Sequence, residues 1–258
     1  MHKAIILYFL FVIASVVASC QSGSIEIFIR KYPTEANKAG LINFEIQNDT
    51  LYKNDVAFLA GMNKLYYRKL KPQESDTIYY LIKNINFQDT VKSYAKNKYE
   101  AMYYYNIYIS YNSDKKSIII FQDDYPNNLK QLIEYIERIS EKGDYSLIKN
   151  KIEGIPDVSI GYLINREQDT LRITPRASYV IWKKLMQGNY ELKKIESIDK
   201  FDYELNTLYP VDYEGKQISK ILYDKGDIYL VYDDKDILLL KGLSIPLNMN
   251  EITKRENK

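Results

Sequence analysis

The stretch YYNIYISYNSDKKSIIIF, residues 104–121, decides the fold class of this chain. Aliphatic and aromatic residues fill both of its arms, and the polar segment Asn112–Lys116 separates them. β-Branched and aromatic residues favour strands, and a short polar segment between two such runs is typical of a β-hairpin. Because a hairpin pairs its strands in opposite directions, the stretch predicts an antiparallel sheet.

Two further strands are predicted nearer the N-terminus. Residues 25–30 alternate between isoleucine and other side chains, which indicates a strand with one buried face. Residues 42–46 predict a second strand, and the polar residues 47–50 predict a turn after it. The N-terminal half of the chain is therefore expected to contain strands at residues 25–30, 42–46 and 104–121.

Helices are predicted where apolar residues recur three and four positions apart. The strongest stripe comprises Leu129, Leu132, Ile133, Ile136 and Ile139. Weaker helices are expected at residues 56–66 after the Asn54–Asp55 cap, at 75–85, at 174–188 with Thr174 as cap, and at 248–256, whereas residues 91–102 fit a helix and a strand equally well. Strands and helices mix without regular βαβ alternation, so the class is α+β with mainly antiparallel sheets and packed amphipathic helices.

Short motifs recur at a nearly constant offset, which predicts an internal duplication. Asp49-Thr50-Leu51 returns 120 residues later as Asp169-Thr170-Leu171, and residues 107–112 resemble residues 228–233 at an offset of 121. Residues 25–143 and 144–258 then form two related α+β domains of ordinary size. Chance similarity in a chain rich in Ile, Asn and Tyr is the alternative.

The first twenty residues have the features of an export signal. A cationic start, Met1–Lys3, precedes an apolar run at residues 4–17 that is too short to span a bilayer. The motif Val17-Ala18-Ser19-Cys20 resembles the lipobox of bacterial lipoproteins. The resemblance implies that residues 1–19 are a lipoprotein signal peptide and that Cys20 carries a diacylglyceryl thioether and an amide-linked acyl chain such as palmitate. An ordinary secretory signal that ends in cysteine is the alternative.

Two or more acyl chains hold a protein stably on a membrane, so the resemblance implies a lipid anchor at Cys20, with residues 20–24 as its flexible tether. It places the protein in the cell envelope of a Gram-negative bacterium. The tether has no acidic cluster of the kind linked with surface export, so we expect an outer-membrane protein that faces the periplasm.

Processing would remove the single histidine, His2, and acylate the single cysteine, Cys20. Ser-His and Cys-His catalysis need an imidazole, and zinc sites draw on Cys and His, so the sequence excludes these classes of site. Because 36 Lys and Arg nearly balance 34 Asp and Glu, no nucleic-acid partner is expected. Isolated glycines form no phosphate-binding loop, so no cofactor is expected either.

Two kinds of acidic group, a candidate calcium-binding segment and candidate catalytic carboxylate pairs, are interpreted as structural. The segment Asp233–Asp236 lacks the glycine and bidentate glutamate of a calcium loop, and a turn between strands accounts for it without a metal ion. Asp123 with Asp124, and Glu35 with Glu45, are candidate carboxylate pairs for glycoside hydrolysis, but no motif surrounds them. We therefore expect no catalytic residues, and a protein that is not an enzyme.

Tyrosine is unusually frequent, with 26 residues, and several lie at residues 99–111. On a strand, Tyr104 and Tyr108 share the face opposite Ile107 and Ile109. We interpret that face as an exposed aromatic strip and its two tyrosines as ligand-binding candidates, because tyrosine combines apolar area with a polar tip. The alternative is that tyrosine is simply a common strand residue in this chain.

These patterns predict an anchored envelope lipoprotein that acts as a non-catalytic binding or protein-interaction module, with an envelope protein as its partner. The alternative is a carbohydrate-binding or carbohydrate-active lipoprotein that uses exposed tyrosines and a carboxylate pair, for which a glycan would be the ligand.

Overall fold

The computed structural model of the chain describes residues 24–32, 41–56, 64–88, 90, 93–94, 104–112, 114–121, 125–148, 160–167, 169–187, 191–198, 200–207, 211–213, 216–234, 236–241 and 252–254. Strands predominate within them, and three α-helices accompany the strands. The strands form two mainly antiparallel sheets, which confirms the α+β class with mainly antiparallel pairing. Among these residues, no helix has the length and hydropathy needed to cross a bilayer.

Sheet 1 contains the strands between residues 25 and 148, so its last strand lies beyond residue 143, where the first predicted domain ends. They are β1 Ile25–Tyr32, β2 Leu41–Gln47, β3 Thr50–Val56, β4 Lys64–Lys69, β5 Ser93–Tyr94, β6 Tyr104–Tyr111, β7 Asp114–Ile120 and β8 Ser146–Ile148. Their spatial order is β5-β7-β6-β1-β2-β3-β4-β8, and only the short β5 runs parallel to its neighbour. β1 therefore pairs with both β2 and β6 near the middle of the sheet.

The hairpin predicted at residues 104–121 is confirmed as β6 and β7, with a tighter turn than expected. Tyr111 lies opposite Asp114, so residues 114–116 belong to the strand and not to the turn. Asn112 has a φ of 55°, a left-handed conformation that asparagine tolerates better than most residues. A turn of two residues, of which Asn112 has a positive φ, thus reverses the chain where five polar residues predict a longer loop.

Sheet 2 contains the strands of the C-terminal half. They are β9 Ile160–Asn165, β10 Thr170–Ile173, β11 Glu191–Ile195, β12 Tyr203–Thr207, β13 Val211–Tyr213, β14 Lys216–Asp224, β15 Asp227–Tyr232, β16 Ile237–Lys241 and β17 Ile252–Lys254. Their order is β11-β16-β15-β14-β12-β9-β10-β17, with β13 paired to β14, and the pairs are antiparallel.

The three helices are α1 Pro72–Lys83, α2 Asn127–Ser140 and α3 Pro175–Gln187. In α2 the predicted stripe is buried in full. α3 begins as predicted, because the Thr174 hydroxyl accepts a hydrogen bond of 3.2 Å from the Ala177 amide. α1 begins at Pro72, three residues before the predicted start, since proline is well tolerated in the first turn.

The layers of the structure follow from which side chains pack together. Helices α1 and α2 cover the face of sheet 1 that carries Ile25, Ile27 and Ile29, which we call the isoleucine face. α3 covers the opposite face, the mixed face, through Phe28 and Leu65. The other side of α3 packs on sheet 2, so this helix lies between the two sheets.

Three predictions about local structure are wrong. The helix expected at residues 56–66 is not found at its two described ends, because Val56 ends β3 and residues 64–66 lie in β4; residues 57–63 lie outside the described residues. The helix expected at residues 248–256 is replaced at Ile252–Lys254 by β17, which pairs with β10. In both places pairing with a distant strand outweighs local helical spacing.

The third wrong prediction concerns the faces of β1. The alternating isoleucines suggested one buried face, yet Phe28 is 2% exposed and Arg30 is 8% exposed on the other. A helix from the C-terminal half covers that second face, and no residue within β1 indicates it.

Candidate functional site

The densest group of charged side chains inside the protein lies where α3 meets the mixed face of sheet 1. We call it the helix-docking cluster. Its members are Glu26, Glu45, Tyr108, Arg176, Tyr179 and Lys183. α3 contributes three of them because a second stripe, which includes Tyr179 and Trp182, points away from sheet 2. A helix with two apolar stripes is buried on both sides, and α3 has this pattern.

A buried ion pair forms the centre of the helix-docking cluster. The Lys183 ammonium group donates a hydrogen bond to the Glu45 carboxylate, and the two side chains are 8% and 3% exposed. The same ammonium group lies 3.3 Å from Gln47 Oε1 and 3.7 Å from the centre of the Tyr52 ring. Both an anion and π-electrons therefore compensate the buried cation.

Burial raises the pKa of the Glu45 carboxyl, and the positive charge of Lys183 opposes this shift. Burial also raises the pKa of the Tyr179 hydroxyl well above its ordinary value, and the neighbouring Glu45 carboxylate adds to the effect. Tyr179 therefore stays neutral at physiological pH. Its ring centroid lies 5.1 Å from that of Phe28, so it packs as a core aromatic residue.

A second ion pair holds the N-terminal end of α3. The Arg176 guanidinium donates to the Glu26 carboxylate, and its carbon lies 4.0 Å from the centre of the Tyr108 ring. Charge and cation–π attraction thus act on the same guanidinium.

Amide side chains continue the polar network across the mixed face. Arg30 Nε donates to Asn43 Oδ1 over 2.8 Å, and Asn43 Nδ2 donates to Asn54 Oδ1 over 2.8 Å. Asn54 Nδ2 then donates to the main-chain carbonyl of Lys64 over 3.1 Å. This chain links β1 to β4, and each step satisfies a buried polar group.

The structure places the residues that the sequence predicts as sites in different surroundings. Tyr108 is half-buried under Arg176, so at this position the predicted exposed strip is not found. Tyr104 begins β6, and its side chain lies outside the described residues. Glycan stacking at either tyrosine stays a prediction, and at Tyr108 it requires the face to open.

Some of the other predicted site residues are described by the structure and some are not. Cys20, Glu35, Asp123 and Asp124 lie outside the described residues, so neither the lipid anchor nor the carboxylate pairs are visible. Glu45, the remaining member of those pairs, has Lys183 as its partner. Asp233 and Asp234 form the turn between β15 and β16, where Asp234 Oδ1 accepts from the Asp236 amide over 3.1 Å. The turn interpretation of this segment is confirmed, and within the described ranges no acidic group clusters as a metal site would.

The helix-docking cluster serves to dock α3. Its charges are paired in the interior, and none of its members lines the cleft between the β2–β3 turn and α1. The sequence does not predict Arg176, Tyr179 and Lys183 as a group. Charged residues inside an otherwise apolar helix are the one sequence signal that could have found them, because a buried charge needs a partner.

Sheet 2 also has a face that α3 does not cover, which we call the outer face. Leu222, Tyr229 and Leu239 lie side by side on it across three neighbouring strands. Val231 and Ile237 form a second row beside them. The charged residues of this face are Arg172, Glu191, Lys193, Glu204, Lys220, Asp224, Asp227 and Lys241. The outer face thus has an apolar centre and a rim with both cations and anions, and the carboxylates of Asp224 and Asp227 lie near Tyr229.

Comparison of the chain with known protein families, curated proteins and solved structures finds no match.

Proposed function

We propose that this protein is a lipid-anchored lipoprotein of the bacterial cell envelope that acts as a non-catalytic protein-interaction module. Cys20 would carry the anchor, and residues 20–24 would be the tether between the bilayer and β1. The outer face of sheet 2 would bind an envelope protein on the periplasmic side of the outer membrane.

The observation that carries this proposal is the composition of the outer face. A protein-binding surface typically has an apolar centre with aromatic residues and a polar rim. The half-buried Tyr229, Val231 and Leu239 supply such a centre, and α3 packs on the opposite face of the sheet. The rim carries charges of both signs, so we infer a partner with an aliphatic patch and a rim of complementary mixed charge.

We also propose that the two halves are related domains that share a pair of hairpins. β2–β3 and β9–β10 are both hairpins that enter their second strand through an Asp-Thr-Leu motif. β6–β7 and β15–β16 are hairpins at the second matching position. The correspondence covers these hairpins alone, since α1 follows β4 whereas α3 directly follows β10.

Replacing Cys20 with alanine is expected to release the protein from membranes. The variant has no thiol to acylate, and without acyl chains the tether has nothing to hold it on a bilayer. Metabolic labelling with a fatty acid, followed by fractionation, measures both effects. If Cys20→Ala is still labelled and still sediments with membranes, the anchor is not at this cysteine.

Replacing Tyr229 with alanine is expected to reduce partner capture at least tenfold. Central aromatic residues often contribute most to an interface, where truncation costs about 2 kcal/mol or more. The measurement is quantitative crosslinking from native membranes. Tyr80→Ala is the matched control, because Tyr80 is 68% exposed on α1, far from sheet 2.

The capture results of the two variants distinguish whether the outer face binds the partner. Loss of one stoichiometric partner with Tyr229→Ala, and its retention with Tyr80→Ala, supports the outer face as the binding surface. Equal capture by both variants would contradict it. Thermal unfolding of each variant verifies that the fold is intact.

A further inference from the structure

A cleft of about 220 Å³ opens at one end of sheet 1, between the β2–β3 turn and α1. Its floor is aliphatic, formed by Ile25, Ile46, Leu70 and Ile78. Its remaining lining residues carry polar side-chain groups. They are Ser24, Asn48, Asp49, Ser75 and Tyr79. Concave sites that combine an apolar floor with a few placed polar groups are the usual form of small-ligand sites.

The charge of the lining selects the class of ligand. Asp49 is the acidic residue of this lining, which contains neither lysine nor arginine, and burial together with the Asp49 carboxylate raises the pKa of the Tyr79 hydroxyl. An anion would meet an uncompensated carboxylate, whereas a cation would meet an opposite charge. The amide oxygen of Asn48 and the hydroxyl of Ser75 are further acceptors for the N–H groups of a cation.

The turn that carries Asp49 is held in place by its backbone conformation and by a main-chain hydrogen bond. Asn48 and Asp49 have φ values of 47° and 57°, and the main-chain carbonyl of Asp49 accepts a hydrogen bond of 2.9 Å from the Leu70 amide. On the opposite wall, Tyr79 packs edge-on against Tyr111, with ring centroids 6.4 Å apart. Both walls are therefore positioned before a ligand arrives, which lowers the entropic cost of binding.

We propose that this cleft binds a small primary amine, with its ammonium group at Asp49 and its aliphatic stem on the isoleucine and leucine floor. The site is separate from the outer face of sheet 2, and it depends neither on the lipid anchor nor on the protein partner. The size of the cleft restricts the ligand to a short stem with a single head group.

The test uses three probes with the same four-carbon stem: n-butylamine, n-butanol and butyrate. NMR titration of the purified full chain at pH 7 follows the amides of Asn48, Asp49 and Ser75. We expect saturable shifts with n-butylamine and much weaker ones with n-butanol and butyrate. Asp49→Asn should weaken n-butylamine binding about threefold to fivefold, the effect typical of an exposed ion pair.

Asp233→Asn is the matched control, because Asp233 is an exposed carboxylate in the β15–β16 turn of sheet 2, outside the cleft. It should leave n-butylamine binding unchanged. Equal affinity for n-butylamine and n-butanol, an equal loss with Asp233→Asn, or no saturable shift with any probe would each overturn the proposal. None of these results bears on the capture of a protein partner, which the Tyr229→Ala variant tests, so the two proposals can fail independently.

Discussion

Replacing Lys183 with methionine is expected to lower the free energy of unfolding at pH 7 by about 3–5 kcal/mol, the cost of leaving one member of a buried ion pair without its partner. Methionine keeps the length and apolar stem of lysine, so little packing is lost. The carboxylate of Glu45, which is 3% exposed as a side chain, then has no ammonium group beside it. Urea unfolding followed by circular dichroism measures the change.

The loss should depend on pH in a defined direction. The pKa of the Glu45 carboxyl is raised by burial, so the folded state holds its proton more tightly than the unfolded state does. The stability that this carboxyl contributes is therefore fully present below its unfolded pKa of about 4.5 and is lost as pH rises through the higher folded pKa. Removing Lys183 raises the folded pKa further, so the variant should lose most stability at neutral pH and least near pH 4.

Two variants separate the ion pair from general effects of the substitution. Lys184→Met changes the exposed neighbour of Lys183 and should alter stability by less than about 0.5 kcal/mol. Adding Glu45→Gln to Lys183→Met removes the unpaired charge and should restore a large part of the loss. A loss at pH 7 that the second substitution does not reduce would show that Lys183 acts through packing and not through Glu45.

Replacing Arg68 with alanine is expected to lower the free energy of unfolding by about 2–4 kcal/mol, because one guanidinium joins three elements. Arg68 is 8% exposed on β4 and donates to both Glu74 oxygens in α1, over 2.7 and 3.0 Å. It also donates to the main-chain carbonyl of Ile139 in α2 over 2.8 Å. The variant removes this donor from the Ile139 carbonyl and leaves the Glu74 carboxylate without its guanidinium partner.

The structure around Arg68 leaves little room for a different arrangement. Gly143 has a φ of 115°, and a Cβ atom there would lie 3.0 Å from Arg68 Cδ. Glycine is thus required both for the backbone conformation and for close approach to the arginine stem.

The decrease in the free energy of unfolding at low pH tests the role of Glu74. Burial by itself raises the pKa of the Glu74 carboxyl, but hydrogen bonds from Arg68 and the Lys71 amide outweigh it, so the pKa is lowered. The stability from this carboxyl is present above its unfolded pKa and is lost as pH falls through the folded pKa. Arg68→Ala should flatten that decline below about pH 4.5.

Arg138→Ala is the matched control for Arg68→Ala. Arg138 is exposed in the last turn of α2, with its guanidinium carbon 5.1 Å from the Tyr135 ring centre. We expect a change below about 1 kcal/mol, typical of an exposed cation–π pair. Equal losses in the two variants would mean that the contacts of Arg68 add nothing specific.

Local pattern was a good guide to some elements and a poor one to others. The stripe from Leu129 to Ile139 predicts α2 because its five apolar residues alone define a helical face. The weaker stripe at residues 56–66 predicts a helix, but its described residues, Val56 and 64–66, belong to strands. Asn54 pairs with Asn43 and Leu65 within sheet 1 instead, and those partners are not visible in the local spacing.

The candidate site shows the same division. Trp182 packs against Tyr179, as expected of an aromatic residue in an apolar helix. The exposure predicted for Tyr108 fails, because Arg176 of a distant helix covers its ring. The sequence correctly predicts that Tyr108 lies on the face opposite the isoleucines. It does not predict which element covers that face.

The sequence by itself determined the β6–β7 hairpin, the α2 helix, the α+β class and the scarcity of histidine and cysteine. Each depends on composition or on residues only a few positions apart. Only the tertiary structure decided that α3 lies between two sheets and that Lys183 pairs with Glu45 across 138 residues of chain. Partners so far apart meet through the packing of whole elements, and no local periodicity records which charged side chain will be buried beside which other.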